Sequence, residues 1–506
     1  MSKQRLSMMP FKTDKFSYVL DGNTGRVIVA DSPTIYIISQ YHQLEKKALI
    51  KKTKEKFADF HKDYHAIYNY VSNLINMGMF YLRETEYSNS SINSKELAIN
   101  SNQSQLILIL TEKCNLRCEY CIYNDKYPEE MGYSDEEMDF ETATKAVDMY
   151  YQLHMERVKR GHKKFPVITM YGGEPLLKFD LIKRVMEYAK ELMPDTLFYT
   201  TTNGTLLSEK MMDYFVNNRI IITFSIDGFK ENHDRNRVFV NGMPTFERAF
   251  KNIKRLQEKK KEQNIEQVIS FNCCFDQYTD VYKVAKFFEE NYDLLNPFFV
   301  LYNQINPFDT LYFDWCEEQV KTGKWNFDKN NFKNAMQKIE HELYESETCD
   351  DHFQQVAGPL VMKDFVLSIR NKDGQQQITR NSCIPTSKIA VSPDGTLTLC
   401  EKMCKKYPIG TVEKGLNWKL VDSVTEKLVQ HFNSDSCKYC PIRTMCEACF
   451  MFLDETGRIK PSFCKSKKVA VKKNLKDYFT KKEKGFDVMK VYNHTSDLDS
   501  VKEMMK

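Results

Sequence analysis

At 506 residues the chain is too long for one ordinary domain, and a scale of roughly 150 residues per domain suggests about three. Its 73 lysines and arginines against 69 acidic residues leave a net charge of +4, too small for this length to argue for a nucleic-acid partner. The first residues hold no apolar stretch of signal-peptide length and no run of 18 apolar residues follows, so a cytoplasmic protein without a membrane partner is expected.

Residues 15–30 alternate apolar side chains around Asn23, Thr24 and Gly25, the pattern of a hairpin with a glycine-containing turn. Helical periodicity follows at 33–42 and at 60–79, the second placing Phe60, Tyr64, Ile67, Tyr68, Val71, Ile75 and Met79 on one face. The Asn, Ser and Gln bias of 88–104 reads as a linker, which closes a small N-terminal domain over 1–95.

From residue 105 short apolar runs at 106–110, 167–171, 197–201, 220–226, 268–273 and 298–302 alternate with amphipathic stretches at 141–157, 181–192, 209–217, 246–259 and 280–289. Such alternation predicts an α/β fold with a mainly parallel sheet over 104–310, either an open partial barrel of six strands or a doubly wound sheet. In both architectures ligands gather at the carboxyl ends of the strands. Residues 311–380 are weakly patterned and read as a bridging region. The lysine-rich 467–484 reads as a solvated helix within a tail over 471–506.

The cysteines are unevenly placed. None falls in the first 113 residues, three fall at 114–121, and eight crowd into 383–464. Stable disulfides are rare in a reducing compartment, whereas closely spaced loop thiols converge on a metal with little chain-closure entropy.

The first predicted strand ends in TEKCNLRCEYC, so Cys114, Cys118 and Cys121 form C-x3-C-x2-C where an active site is expected. Three thiolates on one loop can hold three corners of a four-iron cluster and leave the fourth iron free for a substrate or cofactor. A zinc knuckle is the alternative, but zinc takes four closed ligands and the nearest further cysteine is Cys273.

With Thr111, Asn115, Leu116 and the aromatic Tyr120, this loop resembles the signature of the radical S-adenosylmethionine (SAM) superfamily. The resemblance implies a partial (β/α)6 TIM barrel, a 4Fe-4S cluster whose open iron chelates SAM, and a 5'-deoxyadenosyl radical that abstracts a substrate hydrogen. It extends to the second strand end, Tyr171-Gly172-Gly173-Glu174, which implies that Gly172, Gly173 and Glu174 bind the cofactor's amino group. Further matches are Asn203 in TTNG, Ser225 in SIDG and Arg237, with implied contacts of Ser225 to the ribose and of Arg237 to the methionyl carboxylate. Asn203 and Asp227 precede glycine and equally fit as turn formers, and His233 fits as a packing or capping residue.

Cys383, Cys400, Cys404, Cys437, Cys440, Cys446, Cys449 and Cys464 supply enough thiolates for two more four-iron clusters, or for zinc ribbons. Their number and spacing resemble the SPASM extension of peptide-modifying radical enzymes, here over 381–470. That resemblance implies an inner auxiliary cluster on Cys383, Cys400 and Cys449, and an outer one on Cys437, Cys440, Cys446 and Cys464. The segment departs from the pattern in having two residues rather than three before Cys449, and in offering Cys404 as a candidate fourth ligand of the inner cluster. Cys273, Cys274, Cys316 and Cys349 have no partners by spacing and read as small buried residues.

The N-terminal domain resembles, more loosely, the winged-helix leader-peptide recognition element of peptide maturases, with an edge at 16–29 onto which a peptide strand can add. Together these resemblances imply a maturase of the thioether-forming, sactisynthase type. Its partners would be a precursor peptide with a leader and a reducing protein such as flavodoxin or ferredoxin, and its cofactors SAM and three 4Fe-4S clusters. Carbon-carbon cross-linking, epimerisation and formylglycine formation in a sulfatase use related architectures. A peptide-binding iron-sulfur or zinc module without catalysis is the remaining alternative.

Overall fold

The computed structural model describes residues 5–82, 92–101, 104–127, 132–162, 165–305, 310–325, 331–346, 349–369, 382–403 and 405–486. Cys404, part of the expected linker and the tail beyond 486 lie outside the described residues. The chain forms two compact units. One comprises 1–92, 363–383 and 423–488, the other 93–362, 384–422 and 489–506. The cysteine-rich segment 381–470 is thereby divided between them.

In the first unit, β1 (Met8–Lys12), β2 (Ser17–Asp21) and β3 (Val27–Val29) form an antiparallel sheet in that order. The expected hairpin is β2 and β3. The Asp21 carboxylate accepts hydrogen bonds from the backbone of Asn23 and Thr24 and from the Thr24 hydroxyl, which closes the turn, and Gly25 takes its left-handed position at φ +71°. Helices Ser32–Gln40, Lys46–Lys56 and Tyr64–Asn76 pack behind it on Val19, Ile37, Leu49 and Val71.

The helix expected over 60–79 is shorter than its periodicity. His61 turns left-handed at φ 45°, Asp63 caps the helix by accepting from His65 and Ala66, and Phe60 is left 42% exposed. Helix Lys46–Lys56 was not anticipated. The C-terminal helix Pro461–Glu483 is not solvated all round: Leu475, Val471 and Phe479 pack on Met9, Phe11, Tyr18 and Leu20, and Tyr18 donates to Glu483 at 2.6 Å.

In the second unit, β4 (Gln105–Thr111), β5 (Val167–Gly172), β6 (Leu197–Thr202), β7 (Ile221–Ser225), β8 (Ile269–Phe275) and β9 (Val300–Gln304) pair in parallel and in sequence order. A doubly wound sheet reverses order part-way, so this winding is that of the partial barrel. The intervening helices lie where their periodicity placed them, at Phe140–Lys159, Phe179–Leu192, Glu209–Asn217, Phe246–Gln263 and Val281–Glu290. Asp139, Ser208 and Asp280 cap three of them through their side chains.

Three features depart from expectation. The linker contains a helix, Ser94–Asn100, capped by Asn93. The bridging region contains helices Tyr312–Lys321, Asn331–Tyr344 and Asp351–Ile369. Finally, β10 (Lys388–Val391) joins the free edge of β4 in parallel, with Lys388 opposite Gln105. The sheet then continues antiparallel through β11 (Thr396–Thr398), β12 (Gly410–Thr411) and β13 (Gly415–Leu416). Part of the cysteine-rich segment thus extends the barrel sheet, giving the exposed N–H and C=O row of β4 a partner.

Candidate functional site

The carboxyl ends of β4 to β7 carry the residues singled out by motif. The loop after β4 places Cys114, Cys118 and Cys121 within one turn of chain, and all three thiols are free. Leu116 N–H points at Cys114 Sγ (3.4 Å), and the Cys118 carbonyl accepts from Cys121 N–H and Asn124 Nδ2. Burial above all, with the Glu174 and Cys121 charges, pushes the Cys114 thiol up to about 12 against the opposing Leu116 N–H and Arg237. Cys118 is raised by burial in the same way, with Arg237 again opposing. Thiolates in this setting need a nearby cation, which the iron of a cluster would supply. Among the described residues no three His, Cys, Asp or Glu side chains converge on a single metal-ion position. Ligation by these thiols is therefore a matter of motif and chemistry rather than of converged geometry.

The paired glycines serve the loop itself. Gly172 has φ +137°, and a Cβ there would lie 2.3 Å from the Thr111 carbonyl oxygen; one on Gly173 would lie 2.2 Å from that of Lys113. Gly173 N–H donates to Thr111 O at 2.8 Å and Glu174 N–H to Lys113 O at 2.9 Å. Only glycine lets the end of β5 press this closely on the cysteine loop.

Glu174 is buried. Its Oε1 accepts from Thr202 Oγ1 (2.7 Å) and Leu176 N–H (3.1 Å), and its Oε2 from Asn203 N–H (2.9 Å). Burial raises its carboxyl, and these hydrogen bonds pull the other way. Oε2 keeps a lone pair for one more donor.

Asn203 does act in its turn, and it does more. Its Nδ2 donates to Asn115 Oδ1 (2.9 Å), Asn115 Nδ2 donates to Thr205 Oγ1 (2.8 Å), and Thr205 Oγ1 donates back to Asn203 Oδ1 (2.6 Å). This closed ring ties the end of β6 to the cysteine loop.

Ser225 is buried as the last residue of β7. Just beyond it, Asp227 accepts from the Tyr120 hydroxyl (2.5 Å) and from Cys274 N–H (2.9 Å), while Arg237 Nη1 donates to the Tyr120 oxygen (2.7 Å). Arg237 is buried with its Nε unpartnered, a donor left without an acceptor. His233 is a packing residue. Its Nδ1 accepts from Asp227 N–H, and its Nε2–H faces Thr245 Oγ1, which itself donates to the Arg237 carbonyl. Burial, then the charge of Arg237, holds the ring neutral by lowering its pKa well below the usual value.

Sequence reasoning missed several neighbours. Tyr312, edge-on to Tyr120, places its hydroxyl 2.7 Å from Asp276 Oδ2, and Asp276 pairs with Arg235 at 2.9 Å. Asp276 follows a strand end, the one cue available; Tyr312 had none. Cys273 and Cys316 are buried as expected, whereas Cys274 and Cys349 are only half-buried, and Cys274 lies beside Asp227.

Residues 108–281 match the family model described as the radical SAM superfamily. This segment is a radical SAM domain. The radical SAM family implies SAM and a 4Fe-4S cluster, and the free thiols, the unpartnered Arg237 Nε and the open lone pair on Glu174 fit that pair of groups. A protein of Methanocaldococcus jannaschii described as uncharacterized protein MJ0907 is 34% identical over 28% of this chain, so the match spans less than half, 44%, of that relative. The cysteine-type anaerobic sulfatase-maturating enzyme of Clostridium novyi is 25% identical over 74% of this chain and 95% of its own length. Among solved structures, native anSMEcpe with bound AdoMet and Kp18Cys peptide aligns at a TM-score of 0.51 and 19% identity, covering 77% of this chain and 99% of that one. That likeness supports the radical SAM α/β fold. No helix among the described residues is long and apolar enough to cross a membrane.

Outside the radical SAM domain, the first unit gathers Cys437, Cys440, Cys446 and Cys464. The Cys464 thiol is raised foremost by its hydrogen bond with Cys437, then by burial and by the charges of Cys437, Cys446 and Cys440. His431 Nε2 lies 3.3 Å from Cys437 Sγ, a contact no spacing signalled. Cys383 is exposed and Cys449 half-buried in the same unit; Cys400, in the second, donates its thiol proton to Glu401 at 3.2 Å.

Proposed function

We propose that this chain is a radical SAM maturase that joins a cysteine of a ribosomally made precursor peptide to another of its residues through a thioether. The observation that carries the reading is the second thiol set, Cys437, Cys440, Cys446 and Cys464, gathered outside the radical SAM domain. Four thiolates form a closed ligand set for an outer auxiliary 4Fe-4S cluster.

When bound at Cys114, Cys118 and Cys121, the cluster and SAM supply a carbon radical that takes a substrate hydrogen. The chain's residues hold the cofactor in place. Arg237, through its free Nε, would hold the methionyl carboxylate, Glu174 and the backbone of Gly172 and Gly173 the ammonium, and Ser225 the ribose. Tyr120 and Asn203 fix the loop that carries the thiols. In the first unit, β3 offers an edge on which Val29 is 58% exposed, suited to adding a leader strand. A flavodoxin or ferredoxin is the assigned electron source.

A second reading is oxidation of a sulfatase cysteine to formylglycine, favoured by the match to 95% of the C. novyi enzyme. About a quarter of this chain lies outside that match, which favours a substrate handled by an additional module.

Anaerobically reconstituted, reduced protein mixed with SAM should release 5'-deoxyadenosine. Its absence from cluster-replete protein would sink the enzyme reading. Mass spectrometry of a cysteine-containing precursor peptide then separates the chemistries. Loss of two hydrogens marks a cross-link, exchange of sulfur for oxygen with loss of two hydrogens marks formylglycine, and deuterium uptake alone marks epimerisation.

A further inference from the structure

We infer that His431 donates a hydrogen bond to the Cys437 sulfur and thereby sets the reduction potential of the outer auxiliary cluster; this rests on the cluster assignment above. His431 lies in the last turn of helix Trp418–Asn433, and Cys437 is buried in the short helix Asp435–Lys438 that follows. Ser434 joins the two, its Oγ donating to the His431 carbonyl (2.6 Å) and its own carbonyl accepting from Cys437 N–H (3.0 Å).

The tautomer follows from the far side of the ring. Ile459 N–H donates to Nδ1 at 3.4 Å, so Nδ1 is the accepting nitrogen of the ring and Nε2 is the one that carries an N–H. That nitrogen lies 3.3 Å from Cys437 Sγ and therefore donates to it. Ile459 is buried and bridges Leu453 within the loop between Cys449 and Cys464, so the ring is clamped from a segment that leads to a second ligand.

A donor aimed at a ligand sulfur withdraws charge from it. The reduced cluster, the more negative form, gains more from this than the oxidised one, and its potential rises. His431 is thus a positioning and tuning residue, and four thiols complete the ligand set without it.

The test uses full-length protein carrying Cys114→Ala, Cys118→Ala and Cys121→Ala, so that only auxiliary clusters contribute, with iron analysis and a redox titration followed by electron paramagnetic resonance. In this background His431→Leu should keep its iron but titrate at a more negative potential. The reduced-to-oxidised ratio at a fixed potential should fall about tenfold, or about 59 mV for a one-electron couple. His431→Gln, which retains an N–H near the Nε2 position, should recover most of the shift. A His431→Leu protein with full iron and the parent's potential overturns the proposal, as does loss of four irons from both variants. A parent without auxiliary iron would instead overturn the outer-cluster assignment, and this proposal with it.

Discussion

Asn203 Nδ2 donates to Asn115 Oδ1 at 2.9 Å, so the end of β6 holds the loop carrying Cys114 directly, side chain to side chain. Asn203→Asp keeps the acceptor for Thr205 and removes the donor, setting two oxygens against each other. A stability loss of about 1–3 kcal/mol is expected by urea titration, as for other buried polar groups left unpaired. The iron held by the radical SAM domain should fall with it.

Gly173→Ala tests whether the glycine pair serves the loop. The added Cβ meets the Lys113 carbonyl, a backbone atom that cannot swing aside, at 2.2 Å. Anaerobic reconstitution should then yield protein lacking four irons relative to wild type, with the thiol set around Cys437 unaffected. Full iron content would show that the loop yields at no cost.

Acid sensitivity should trace to His233. Its folded pKa lies well below the usual value, so the unfolded chain binds the proton first. The stability from keeping the ring neutral is complete above about pH 6.5 and is lost as pH falls below it, at about 1.4 kcal/mol per unit until the folded pKa is reached. Unfolding midpoints between pH 7 and 5 should show this slope in wild type and a flatter one in His233→Gln.

Leu475→Ala measures how far the C-terminal helix stabilises the first unit. Leu475 is buried against Met9, Phe11 and Tyr18, and its truncation should cost about 2–5 kcal/mol in thermal or urea unfolding. A change within experimental error would restore the solvated-helix expectation.

The six parallel strands were legible because both their faces are covered, so they read as continuous apolar runs such as QLILILT. Strands β10 to β13 were not, since two to four residues carry no period. Helix Lys46–Lys56 escaped because only Leu49, Ile50 and Thr53 are buried among its lysines, too few for an apolar face. At the site, motif spacing picked out Asn203 and Asp227, but Asn-Gly and Asp-Gly spell turns equally well. Only the side-chain partners, Asn115 and Tyr120, show what each residue holds. His431 stands six residues from Cys437, beyond the spacings by which metal sites are recognised.

The pairing of Lys388 with Gln105 also governs how the chain comes together on the ribosome. The strand that leads into the cysteine loop emerges early, yet one of its edges waits for a partner encoded nearly three hundred residues later. Until then the nascent barrel carries an unpaired parallel edge, a target for wrong strand partners. Closing such a long-range pair is slow, so a stalled or truncated chain ending before residue 388 should be the form that aggregates.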